Sequence, residues 1–372
     1  MNGQWLGSFS DPEGGGTILV NIDERETYYQ GVAYTHPSDH ALPSAAAFFK
    51  TENKDTKCKF RTLGLQPIDP ATSAIISWEA IKDKYDKNIV FSKHADVTVS
   101  CDGAALTLSW GTDQGFTGNC VLPRSKAGEP SELDAEQRDW DGFKKYVSAL
   151  KGKRYLFRGQ GKPYRLRTSF HRTGRADLWR FRNEDVEVLR KHLSAKTKHV
   201  FNLEIPDEFG AFLNLIQHHG YPTPLLDWTL SPFVAAFFAY RRISNGDAAK
   251  AGPNERVRIF VFDQEQWKAD FQQILLLLFP GQHLSIGEFL AIENERMIPQ
   301  QAASTVTSLD DIESYIKSKE TETKKYLWAI DLPVHERREV VRELRYMGIT
   351  AGSLFPGLDG ACEELTDRNF EI

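Results

Sequence analysis

The apolar pattern of this chain changes period part of the way along, which limits it to two differently built regions. Ile18, Val20 and Ile22 alternate with Thr17, Leu19 and Asn21 behind a Gly14-Gly15-Gly16 turn. Val97 and Val99 alternate in the same way, and Leu106, Leu108 and Trp110 do so after Asp102-Gly103. Period-two alternation flanking Asp-Gly is a strong hairpin signal. With Trp5-Leu6-Gly7-Ser8-Phe9 and regular glycine usage, residues 1–123 read as an all-β barrel or sandwich. This stretch carries no acid–base pair and no metal-ligand spacing, so a sensing, scaffolding or docking role is its default.

Residues 124–134 are polar, contain Gly and Pro and show no periodicity, as a linker would. From residue 135 to 372 helical spacing appears. Asp134 with Gln137 predicts a helix start, and Trp140, Phe143, Val147 and Leu150 follow at helical intervals. Phe209, Phe212, Leu213 and Ile216 predict a second helix, ending at His218-His219-Gly220. Ser231-Pro232 caps and opens a third, buried one over Phe233–Ala239. Strands are predicted at Arg258–Phe262 and Tyr326–Leu332, and a helix at Glu339–Met347 stopped by Gly348. Strands and helices without strict alternation indicate an α+β domain, and 372 residues suit two domains.

Hydrophobic residues at 41% and charged residues at 26% exclude a disordered chain. Cys58, Cys101, Cys120 and Cys362 lack paired spacing, which argues against a zinc site or a disulfide scaffold. The N-terminal residues show no signal-peptide pattern, and the longest apolar run, Ile274–Phe279, is too short for a bilayer. A soluble cytoplasmic protein with no membrane partner is expected. Walker, nucleophile-elbow, zincin and dinucleotide-fingerprint motifs are all missing. His218 and His219 are adjacent and would point about 100° apart on a helix, so no metal site is assigned to them.

The net charge of −5 conceals a local excess of base. Between Lys151 and Arg182 stand eleven Lys and Arg against Asp177 alone, about +10 in one window. Tyr155, Phe157, Tyr164, Phe170, Trp179 and Phe181 are interleaved with them. Such a segment suits phosphates or a nucleic acid, through residues 151–182; equally it suits a solvated face whose long stems cover apolar surface.

Phe157-Arg158-Gly159-Gln160 closes an aromatic strand on an arginine, and a buried strand seldom carries an unpartnered charge. His219-Gly220-Tyr221-Pro222-Thr223-Pro224-Leu225-Leu226-Asp227-Trp228-Thr229 follows about seventy residues later. With Asn294-Glu295-Arg296…Gln300-Gln301 and Met347-Gly348-Ile349-Thr350…Leu354-Phe355-Pro356-Gly357-Leu358-Asp359-Gly360, these blocks resemble the FRG domain over roughly residues 135–365. The motif layout also resembles that of ADP-ribosyltransferases. That likeness implies an NAD-using effector, either an ADP-ribosyltransferase or an NAD glycohydrolase, of the kind found in prokaryotic conflict and phage defence. The N-terminal domain would then engage an unknown protein or phage trigger.

By the same likeness the catalytic set is Arg158, Thr229, Glu295 and Gln301. NAD or a related nucleotide would be held by Arg158, Gln160, His219, Asp227, Thr229, Ser231, Arg296 and Gln300. Arg offers pyrophosphate a fixed fork of donors, and a carboxylate or amide near the ribose would steady charge developing as nicotinamide leaves. A Gln at the third element departs from the Glu usual in transferases that modify proteins, and Glu293, Glu295, Gln300 and Gln301 all stand as candidates for it. The plainer readings are that Arg158 pairs internally with Asp227, that Thr229 and Ser231 are turn and cap residues, and that the Glu293–Arg296 cluster is surface. A binding module for nucleotides or nucleic acid, without chemistry, is the alternative function.

Overall fold

Alternating apolar residues in the first third build two antiparallel sheets. The computed structural model describes residues 1–12 and 14–370. Strands β1 (Gly3–Phe9), β2 (Gly16–Glu24), β3 (Tyr29–Pro37), β4 (Ala45–Lys50), β5 (Lys57–Arg61), β6 (Gly64–Pro67), β7 (Ala95–Cys101), β8 (Ala105–Thr112) and β9 (Thr117–Pro123) come first. One sheet is ordered β1-β2-β3-β4-β6 and the other β5-β7-β8-β9. Trp5, Phe9, Ile18, Val20, Ile22, Leu106, Leu108 and Leu122 face one another between them. The predicted Asp102-Gly103 hairpin joins β7 to β8, Cys101 pairing with Leu106 and Gly103 at φ +93. Isolated bridges Trp5↔Arg124 and Ser10↔Asn119 link the two sheets, which do not merge into one closed barrel.

The second region is α+β. Its strands are β10 (Ala135–Gln137), β11 (Tyr155–Gln160), β12 (Leu225–Thr229), β13 (Arg256–Asp263), β14 (Leu284–Gly287), β15 (Ala302–Thr307) and β16 (Leu327–Pro333). They form one seven-stranded sheet, ordered β10-β16-β13-β11-β12-β15-β14. The helices that matter to the argument are α1 (Trp140–Ser148), α2 (Pro206–His218), α3 (Pro232–Tyr240), α4 (Arg337–Tyr346), α5 (Ala351–Leu354) and α6 (Leu358–Phe370). Phe157, Val257, Ile259, Val261, Ile330 and Leu332 bury one face of the sheet against α1, α3, α4 and α5. Leu156, Phe260, Phe262, Leu226 and Trp228 bury the other.

Local signals placed three of the helix ends. Ser231 accepts from the Val234 N–H with Pro232 at the first helical position, and Gly220 and Gly348 take φ +89 and +76 after α2 and α4. The start expected at Asp134 is corrected: Ala135–Gln137 is an edge strand, and α1 begins after Asp139, whose carboxylate accepts from the Gly142 N–H at 2.7 Å. Parallel pairing of Ala135 with Ala329 keeps this segment extended, and that partner lies far along the chain.

The two regions are locked together by charge. Asp23 of β2 is fully buried and accepts from Arg175 Nε (2.8 Å), Arg180 Nη1 (2.8 Å), Ala176 N (2.8 Å) and Asp177 N (3.1 Å). Gln4 donates to the Ser308 carbonyl and accepts from Asp310 N, while Phe48 packs edge-on to Trp179. Within residues 124–134, Ser131 Oγ donates to Glu313 and Glu132 pairs with Arg165, so this segment is fastened to the second region.

Burial pushes the neighbouring Asp177 carboxyl up to about 7, opposed by the Arg180 N–H and the nearby guanidinium groups and reinforced by Asp23. A carboxyl with a raised folded pKa holds its proton more tightly in the folded chain. Its contribution to stability is therefore complete below pH ~4 and lost as pH rises through about 7. Asp177→Asn, which keeps an oxygen to accept from Arg180 N, is expected to remove that loss. Its melting temperature relative to wild type should climb between pH 5 and pH 8. A constant offset across that range would contradict the assignment.

Candidate functional site

Arg158 sits where the pairing of β11 with β12 stops. The ladder between these strands is a single pair, Phe157↔Thr229. Phe157 and Thr229 therefore share one face of the sheet, and alternation starts the Arg158 side chain from the other. Its Nη1 donates to the backbone carbonyl of Asp227 at 2.5 Å, tying the two strands beyond the last ladder pair. The internal pairing expected with Asp227 is thus to its main chain; the Asp227 carboxylate instead accepts from Gln217 Nε2.

Pairing and desolvation set Arg158 and Arg172 apart from the other arginines nearby. Arg154, Arg165, Arg167, Arg175, Arg180 and Arg182 of the basic segment are ion-paired with Asp263, Asp311, Asp310, Asp23, Glu184 and Glu204 among others. Among the described residues of that segment, Arg158 and Arg172 are the arginines without a carboxylate partner; Arg172 Nη1 donates to the Arg167 carbonyl. Burial also lowers the Arg158 guanidinium to about 10, eased by the charge of Asp227 and worsened by that of Arg172. Its Nε is shielded from solvent with no hydrogen-bond partner. Arg165 Nε and Arg175 Nη2 of the same segment share that state, so it is the missing carboxylate that marks Arg158 as a candidate for a ligand acceptor.

The pairing of the other arginines also bears on the basic segment as a whole. Six of its arginines are paired with acids, some nearby in sequence and some far along the chain, so much of its excess charge is offset within the fold.

The remaining candidates divide into structural and exposed groups. Thr229 Oγ1 donates to the Gln300 carbonyl at 2.7 Å and accepts from Ser231 N, and Ser231 caps α3. Gln300 Nε2 donates to the Leu354 carbonyl, and Arg296 Nη1 to that of His218. Arg296 also lies over the Phe355 ring, 5.4 Å from its centroid. His218 Nδ1 meets Asn294 Oδ1 at 2.7 Å, so the motif blocks around residues 218, 229, 294–300 and 354 converge on one packed junction.

His219 is exposed at the end of α2, and Gln160 ends β11 opposite Arg258. Glu293 accepts from the His199 N–H. Glu295 and Gln301 are exposed, Gln301 at φ +46, and no hydrogen bond or ion pair among the described residues joins either to Arg158. The structure therefore ties Arg158 to Asp227 across β11 and β12, gathers Thr229, Gln300 and Arg296 at a separate junction beside Leu354 and Phe355, and leaves His219, Glu295 and Gln301 at the surface.

Arg172 and the Ser169–Thr223–Gln217 hydrogen-bonded group went unnoticed in the sequence. Ser169 accepts from Thr223 N at 2.9 Å, and Gln217 joins Thr223 to Asp227. The signal that could have drawn attention to Arg172 was its place in the basic segment. Among the described residues no cluster of three or more His, Cys, Asp or Glu could hold a metal ion, and no helix is long and apolar enough to cross a membrane.

Among solved structures the chain is similar to two redesigned β-barrels bound to DFHBI. The first, mFAP1, shows 15% identity over 33% of this chain and 94% of its own, with a TM-score of 0.22. The second, mFAP0, shows 12% identity over 33% and 97%, with a TM-score of 0.21. No curated protein matches. The family model of the FRG domain matches residues 153–248, from just before the Phe157-Arg158-Gly159 strand to the helix after α3, and by that match the chain carries an FRG domain.

Proposed function

We propose that the FRG domain anchors the phosphates of a nucleotide, NAD foremost, on Arg158 and Arg172. The observation that carries this reading is the pair of arginines left without carboxylates in a segment where the others are paired, one of them with a shielded, unpartnered Nε. A pyrophosphate supplies the acceptors such a fork of donors lacks. On this reading the domain is an NAD-using, ADP-ribosyltransferase-like effector, with exposed Glu295 or Gln301 as the group that meets the ribose. A binding role without chemistry is the second reading, and the Thr229 hydroxyl favours it, because that hydroxyl is already engaged by the Gln300 carbonyl.

Calorimetry with NAD, ADP-ribose and ATP, alongside assays of nicotinamide release, separates these. Arg158→Ala and Arg172→Ala should each weaken NAD binding by roughly tenfold to a hundredfold, the worth of a hydrogen bond to a charged group. Arg172 is exposed, so its variant tests binding without disturbing the strand tie made by Arg158. Nicotinamide release that vanishes in Glu295→Gln or Gln301→Ala supports the transferase. Binding heat without release supports the binding module. Silence of all three ligands against folded protein would dismiss the nucleotide reading.

A further inference from the structure

The inward residues of the N-terminal β-domain enclose a cavity of about 470 Å³. Residue size on two neighbouring strands creates it. Ala33 pairs with Ala47 and Thr35 with Ala45 across β3 and β4, so four small side chains face inward where a packed sandwich would place large ones. The intervening residues Val32, Tyr34 and Ala46 point outward and are buried, beside Trp179 of the second region. Val32 and Tyr34 thus put bulk on the outer face, while the inner face is small from Ala33 to Thr35 and from Ala45 to Ala47 and is filled by Tyr29 and Phe49 only at its other end.

The walls are apolar and nearly uncharged. Ile18, Val20 and Ile22 of β2 line one side, with Val97, Leu108 and Trp110 opposite. No Lys or Arg side chain lines the space; its charged groups are Asp11, which accepts from the Gly15 N–H, and the Met1 amino group, which donates to the Tyr29 hydroxyl at 3.5 Å. Several wall hydroxyls are already engaged. Thr51 donates to the Asn53 carbonyl at 2.6 Å, Thr62 accepts from Ala95 N at 2.9 Å, and Ser92 donates to Thr112 at 2.9 Å. Between Asp11 at one end and the Met1 amino group at the other, a charged group would go uncompensated, whereas an apolar body gains contact with every wall.

The most exposed apolar lining lies at one end. Pro12 after β1, Leu42 between β3 and β4, Phe91 before β7 and Phe116 between β8 and β9 line the cavity at the same end of the strands. Val90 and Phe116 are 57% and 46% exposed there. We infer that this β-domain is a binding site for an uncharged, predominantly apolar small molecule that enters past Val90 and Phe116. The size and enclosure match those of small-molecule sites.

The test is a fluorescence titration of the full chain with N-phenyl-1-naphthylamine, a neutral apolar probe. Saturable enhancement at one probe per chain is expected, displaced by dodecanol and far less by dodecanoate. Ala33→Phe and Ala47→Phe fill the space from adjacent strands, and each should weaken probe binding by at least about tenfold. Circular dichroism and thermal melts identify which variant keeps the wild-type fold, and dodecanol should raise the melting temperature of the wild type but not of that variant. Non-saturating fluorescence, or full probe binding in a folded cavity-filled variant, would overturn the proposal. Equal displacement by dodecanoate would overturn the uncharged ligand class.

Discussion

Gly159→Ala is expected to destabilise the FRG domain by roughly 3 kcal/mol or more, although it adds one methyl group. A Cβ at this position would lie 1.8 Å from the Ala235 carbonyl oxygen and 2.8 Å from both the Ala235 carbonyl carbon and the Ala239 nitrogen. All three are backbone atoms of α3, so no side chain can turn aside and the helix itself must lift from β11. That helix carries Val234, Ala235, Ala236, Ala239 and Tyr240 into the main core, and its displacement would loosen the whole face of the sheet. Gly152→Ala is the control: nothing lies within 4 Å of its added Cβ, and it should change stability by no more than about 0.5 kcal/mol. Urea unfolding of both variants checks the expectation. A Gly159→Ala midpoint close to that of Gly152→Ala would show that the helix can accommodate the methyl.

The Phe157-Arg158-Gly159 triplet therefore has a physical account for each member. Phe157 fills the core under α3, Arg158 fastens β11 to the Asp227 carbonyl, and Gly159 lets the helix approach the strand.

Asp23→Ala is expected to cost about 3–5 kcal/mol, the range for removing one partner of a buried ion pair. Arg175 and Arg180 would lose the carboxylate they share, and the N–H groups of Ala176 and Asp177 would lose their acceptor. Asp23→Asn, which retains one acceptor oxygen, should fall between wild type and Asp23→Ala. Because the cluster joins the β-domain to the second region, the loss should also speed limited proteolysis within residues 124–134, where the two are connected. Urea unfolding within 1 kcal/mol of wild type, with unchanged cleavage, would mean that other contacts hold the regions together.

Much of the local structure is legible in the sequence alone. Alternation at Ile18–Ile22 and around Asp102-Gly103 announced strands β2, β7 and β8, because residues on one side of a strand meet the same surroundings. Ser231-Pro232, Gly220 and Gly348 announced helix ends, because caps and left-handed glycines act within a turn of the backbone they serve. The Arg158 strand and the blocks around Asp227 and Gln300 were also recognisable in one dimension, which was enough for the FRG resemblance. The edge strand Ala135–Gln137 was misread because its partner β16 lies some two hundred residues on and local propensity is silent about it.

Composition and spacing along the chain were thus sufficient for the α+β class, the β-rich first third and the family resemblance, all of which rest on short-range rules. Which arginines keep a free charge was settled by folding alone. Arg167 meets Asp310 and Arg175 meets Asp23 across 143 and 152 positions, and only these meetings distinguish Arg158 and Arg172 from their neighbours. The cavity has the same origin: Ala33, Thr35, Ala45 and Ala47 are unremarkable in sequence, and they line a space because strand pairing turns all four to one side. Charge pairing and enclosed volume depend on which distant residues become neighbours, and that is fixed by burying apolar faces together over the whole chain.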